Sequence, residues 1–111
     1  MSLYAEYIKE REGYLTIEEE TFFVTFKKIE DALYVRDIYI VPEHRSKKMS
    51  VEIGKLTETI AKQMECKALL GSVDKGTYNW ERNKEIMIKF GYNQVSEDGD
   101  YIQFQKELNN G

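Results

Sequence analysis

Between Val35 and Ser50 the chain reads Val-Arg-Asp-Ile-Tyr-Ile-Val-Pro-Glu-His-Arg-Ser-Lys-Lys-Met-Ser, an apolar run that stops at a proline and passes through a basic stretch into a helical pattern. The first amides of a helix lack intrahelical partners, and the aligned peptide dipoles add about half a positive charge there. Such a place suits an anion, phosphate above all. Arg45, Lys47 and Lys48 surround it with further positive charge. The same residues would also make a solvated basic turn that only caps the helix. Residue type and spacing leave both readings open.

No other set of reactive side chains converges. His44 is the only histidine and stands in the same polar loop, so a Ser-His-Asp arrangement has no support. Cys66, the only cysteine, closes a helical segment with no histidine nearby in sequence, and is expected to be buried filler. No group of His, Cys, Asp and Glu has metal-ligand spacing, and no metal is expected.

The elements that must hold the basic loop can be read in order. Leu3 to Gly13 has the spacing of a short amphipathic helix with Gly13 as its stop. Tyr14 to Ile17 and Thr21 to Ile29 read as strands, the second rich in Phe, Val and Thr. Leu33 to Val41 is a further strand, with Leu33, Val35, Asp37, Tyr39 and Val41 expected on one face. It turns apolar on both sides towards its end, as a covered strand does. Ser50 is expected to cap a helix reaching about Glu65, with Met49, Ile53, Leu56, Ile60 and Met64 at helical spacing. Gly54 inside it predicts close packing, since glycine costs a helix about 1 kcal/mol. Ala68 to Val73 reads as a buried strand, Trp80 to Phe90 as a helix ended by Gly91, and Tyr92 to Val95 with Tyr101 to Glu107 as a final hairpin. A strand-helix-strand order in the middle implies a parallel pair.

The 111 residues and 13.1 kDa fit a single domain over residues 1–111. A net charge of −4 and a pI of about 5.1 argue against nucleic acid or a membrane surface as partner, because both need a cationic field. No apolar run approaches the ~20 residues of a membrane helix, and Met1-Ser2-Leu3-Tyr4-Ala5-Glu6 meets an acidic residue too early for a leader. With a single cysteine, the expected setting is the reducing cytoplasm.

The Val35–Ser50 segment resembles the coenzyme A-binding motif of the GNAT family of N-acetyltransferases. Asp37, Tyr39, Pro42, Glu43, Arg45 and Lys47 match that motif in identity and register, and Ile38, Ile40 and Met49 are near equivalents. Phe90-Gly91-Tyr92 is similar to the Leu-Gly-Phe that follows the family's last helix, and the strand order agrees from Tyr14 to Leu108. The resemblance implies an α+β fold of three-layer α/β character: a mixed, centrally splayed sheet flanked by helices, with acetyl-coenzyme A in the splay. The splayed strands would be Leu33–Val41 and Ala68–Val73. Backbone groups at Ile38, Tyr39 and Ile40 would hold the pantetheine arm and thioester. Those of Arg45, Ser46, Lys47, Lys48, Met49 and Ser50 would cradle the pyrophosphate. Acetyl would pass to a primary amine by direct attack, with Asp37 as the candidate base.

Three departures accompany the resemblance. The family's loop glycines are Ser46, Lys48 and Ser50 here. The family's acid, a tyrosine four residues before the last helix's glycine, is Met87, whose thioether has no proton to give. Tyr78, in the loop before that helix, is the candidate acid, with a packing aromatic as its competing role. The family's opening strand and two helices shrink to one helix, which implies an open acceptor side suited to a protein acceptor, an amine-bearing small molecule, or completion by a second subunit in a homodimer. The alternative function is a catalytically impaired GNAT-like module that binds coenzyme A or a protein partner.

Overall fold

The computed structural model describes residues 2–108, apart from the Lys47 side chain. Helix α1 (Leu3–Glu12) is capped by the Ser2 hydroxyl, which accepts from the Ala5 amide at 3.1 Å. It ends at Gly13, whose φ of 77° is one that only glycine adopts without cost. Strands β1 (Leu15–Glu18), β2 (Phe22–Ile29) and β3 (Ala32–Ile40) follow as an antiparallel meander. A 3-10 turn at Pro42–His44 leads into α2 (Lys47–Gln63). Then come β4 (Ala68–Asp74), α3 (Trp80–Lys89), β5 (Asn93–Asp98) and β6 (Tyr101–Glu107).

The six strands form one sheet in the order β1-β2-β3-β4-β6-β5. Among the described residues only β3 and β4 run parallel; the flanking pairs are antiparallel. Helix α2 packs Ile53, Ile60 and Ala61 against Val24, Phe26, Leu33, Val35 and Leu69. Helix α3 covers the same face farther along, with Trp80 and Met87 against Val73, Ile102 and Phe104. The C-terminal end of α1 meets the opposite face, where Lys27 Nζ donates to the Glu12 carbonyl. Among the described residues no helix is long and apolar enough to cross a membrane.

Three details depart from the sequence reading. Helix α2 starts four residues early: Ser46, not Ser50, is its cap, and its hydroxyl accepts from the Met49 amide at 3.2 Å. Both serines satisfy the capping rule, but Lys47 and Lys48 are good helix formers and extend the helix back to the earlier one. The strict alternation expected along β3 is broken by a bulge. Thr25 faces Asp37 but Phe26 faces Val35, leaving Arg36 as the extra residue. Ile38 and Ile40, opposite Val24 and Phe22, therefore join the Leu33–Val35 face, and Asp37 and Tyr39 move to the other. Finally, Gly54 is not a point of close approach, because an added Cβ would lie 3.9 Å from the Phe90 ring. A tighter glycine is Gly71 of β4, where a Cβ would come within 2.7 Å of the Met87 methyl.

Candidate cofactor cleft and active site

The parallel ladder between β3 and β4 consists of Ala32–Ala68, Leu33–Leu69 and Tyr34–Leu70. Beyond these the strands part, β3 continuing to Ile40 against β2 and β4 to Asp74 against β6. The Val41 amide donates to the Thr21 carbonyl at 2.8 Å. Alternate residues of an antiparallel pair address the partner strand, so Val41, Tyr39 and Asp37 turn their amides and carbonyls to β2. Ile38 and Ile40 turn theirs into the gap. The Ile40 carbonyl accepts from Arg45 Nε at 2.8 Å, and among the described residues no strand pairs with Ile38 across the gap.

The α2 start lies at the mouth of this fork because β3 runs into it through the turn. Several amides of the turn are already used: His44 donates to Val41 and Arg45 to Pro42. Ser46 takes two, its carbonyl bonding the Ser50 amide at 3.1 Å and its hydroxyl the Met49 amide. The Lys47 and Lys48 amides, at the first two helical positions, have no carbonyl one turn before them within the helix. Among the described residues, Pro42 to Ser50 contains no positive φ. Serine and lysine thus occupy the places of the family's glycines without backbone strain. Lys48 is exposed, whereas Arg45 is folded back with its guanidinium 5.5 Å from the Tyr39 ring centre. Tyr39 in turn stacks on Phe23, ring centres 5.6 Å apart. The Lys47 side chain, the third expected cation, lies outside the described part.

On the face away from α2, the Thr25 hydroxyl donates to Asp37 Oδ2 at 2.9 Å and accepts from the Asp37 amide at 3.0 Å. Thr25 is fully buried while the carboxylate is partly open to solvent. Arg36 Nε stands 3.6 Å from the same oxygen, and its guanidinium pairs with Glu12, whose hydrogen bond strengthens its hold on the proton. Across the fork, the Tyr34 and Ser72 hydroxyls lie 3.0 Å apart.

Against known proteins, no family sequence profile and no curated sequence matches the chain. Solved structures do match. PaiA N-acetyltransferase from Thermoplasma acidophilum, solved in complex with coenzyme A, superposes with a TM-score of 0.75 at 17% identity, over 96% of this chain and 69% of that one. A GNAT-family acetyltransferase from Listeria monocytogenes gives 0.65 at 15%, over 79% and 58%. The GNAT domain of S. lividans PAT gives 0.68 at 11%, over 79% and 54%. The fold is that of the GNAT acetyltransferases.

In this GNAT fold the expected residues are distributed unevenly. Ile38 and Ile40 border the fork, and Ser46 to Ser50 form the first turn of α2 at its mouth. Tyr39 faces away from α2 with Asp37 and bonds to β2. Tyr78 is 88% exposed in the loop before α3, and no hydrogen bond among the described residues ties its hydroxyl to the fork. Met87 fills the space over Gly71. His44 is exposed, and Cys66 is buried, with its thiol pushed up by burial. No group of three His, Cys, Asp or Glu among the described residues could hold a metal ion. Sequence reasoning missed Thr25, Arg36, Tyr34 and Ser72. The strand pattern of each carries no mark of its contact, which arises only from register.

Proposed function

We propose that this chain is an acetyl-coenzyme A-dependent N-acetyltransferase acting on a primary amine. The fork carries this reading: two parallel strands part after Tyr34 and Leu70, and a helix start waits at their carboxyl end. Ligands of open α/β sheets settle in crevices of that kind. The residues fit coenzyme A. The Lys47 and Lys48 amides, with the Lys48 charge, suit the diphosphate, and the open edge at Ile38 offers the amide and carbonyl that an extended pantetheine arm needs. When bound, acetyl-coenzyme A supplies an activated thioester. The protein supplies orientation, a donor at Ile38 for negative charge developing on the acyl oxygen, and a base for the amine. Asp37 is that base, its second oxygen free while Thr25 holds the first. The Asp37 carboxylate is partly open to solvent, which leaves room for a bulky acceptor such as a protein lysine as well as for a small amine. The cytoplasm, where acetyl-coenzyme A is available and thiols stay reduced, suits this activity.

A second reading, a coenzyme A-binding module without turnover, is favoured by one observation: Met87 stands where GNAT enzymes often place their tyrosine acid, packed over Gly71. Isothermal titration with coenzyme A and acetyl-coenzyme A, followed by thiol release against a panel of amines and lysine peptides, separates the two. Binding with release is expected. Binding without release from any acceptor selects the second reading. No heat at millimolar ligand removes both.

A further inference from the structure

If the chain turns over, some group must return a proton to the leaving sulfur, and Met87 has none. We infer that Tyr34 is that group, with Ser72 as its positioning partner; this rests on the acyl-transfer reading above. Tyr34 is the last residue of β3 in the parallel ladder, and Ser72 stands two residues past the last paired residue of β4. Their hydroxyls, 3.0 Å apart and partly buried, span the closed end of the fork. Each hydroxyl has one proton and two acceptor sites, so a pair bonded to each other keeps one O–H to offer elsewhere. The Tyr14 ring, 6.4 Å from that of Tyr34, walls the phenol on its outer side.

The bulge at Arg36 makes the placement meaningful. Lys27 faces Tyr34 and Thr25 faces Asp37 across the β2–β3 ladder, and Lys27 and Thr25 lie on one face of β2. Tyr34 and Asp37 therefore share a face, although an unbroken strand would place residues three apart on opposite sides. Acid and base sit on one side of the sheet, at the neck and along the arm of the fork. Tyr78 and Tyr92 do not compete. Tyr78 points to solvent, and Tyr92 is packed between the two core clusters on the far face.

The step balances as follows. The amine nitrogen bonds the acyl carbon and gives a proton to Asp37, and the carbon–sulfur bond breaks with its electron pair passing to sulfur. Sulfur takes the Tyr34 hydroxyl proton. Asp37 then releases its proton to solvent, and Tyr34 regains one from solvent through Ser72.

The test compares coenzyme A with desulfo-coenzyme A, which lacks the sulfur, on wild type, Tyr34→Phe, Ser72→Ala and Ser72→Thr. Wild type is expected to prefer coenzyme A by about threefold or more. Tyr34→Phe should erase that preference without weakening desulfo-coenzyme A, and lower thiol release about 100-fold. Ser72→Ala should lower kcat about tenfold with KM for acetyl-coenzyme A unchanged, and Ser72→Thr should restore it. A Tyr34→Phe protein that keeps both the sulfur preference and thiol release within threefold of wild type overturns the inference alone. A wild type that binds neither ligand overturns the acyl-transfer reading and this one together.

Discussion

Ser46 decides how much of the α2 start is left for an anion. Its hydroxyl occupies the Met49 amide, which a bound diphosphate would otherwise receive. Ser46→Gly removes that competitor at a cost of only a few tenths of a kcal/mol, because glycine is itself a tolerable cap. Coenzyme A should bind roughly tenfold tighter, the worth of about 1.4 kcal/mol, with melting little changed. Titration calorimetry beside a thermal melt checks both. The basic character of this loop was legible from Arg45 and Lys48 themselves, since charge is written in residue type. Which serine caps the helix was not, because Ser46 and Ser50 carry the same chemistry and the choice falls to helix propensity between them. Asp37 was also visible as a carboxylate on a strand, but its clasp by Thr25 depends on a partner twelve positions away.

At the scale of elements, start and stop residues served well. Gly13, Pro42 and Gly91 each end the segment they were expected to end. The bulge in β3 escaped notice because both faces of Leu33 to Val41 carry apolar residues near the end, so a slip of phase leaves no trace in the pattern. Glycine showed a similar limit: two residues of one type, Gly54 and Gly71, have opposite surroundings. Gly54 has ordinary contact distance to spare, sits inside α2 and has no need of its freedom. Gly54→Ala should stabilise the protein by about 0.5–1 kcal/mol through helix propensity alone, raising the midpoint of urea unfolding without altering coenzyme A affinity. A drop in stability would mean that Phe90 presses on α2 more closely than 3.9 Å.

Across the whole molecule, two clusters of core residues, one under α2 and one under α3, both pack against Tyr92. Burial, aided by the nearby Glu58 charge, pushes its phenol up to about 12 from an ordinary 10.0. The neutral phenol is thus favoured in the folded state, and its contribution is complete below pH 10. Between about pH 10 and 12 the unfolded chain ionises this group while the folded protein does not, so stability is lost over that window, by about 3 kcal/mol in full. Urea unfolding at pH 9.5 and 11 should show wild type losing about 1 kcal/mol more than Tyr92→Phe. An equal loss in both would refute the placement. The strand-helix-strand order and the parallel pair were legible from the alternation of elements; the parting of that pair came only with the family resemblance, because an opening between strands is an absence of bonds and leaves no residue signature. That opening has a mechanical side. The sheet is two antiparallel triplets, β1-β2-β3 and β4-β6-β5, stitched along a seam only three residue pairs long. An extended guest lying between them would act as a seventh strand, and the two halves would then resist shear as one plate.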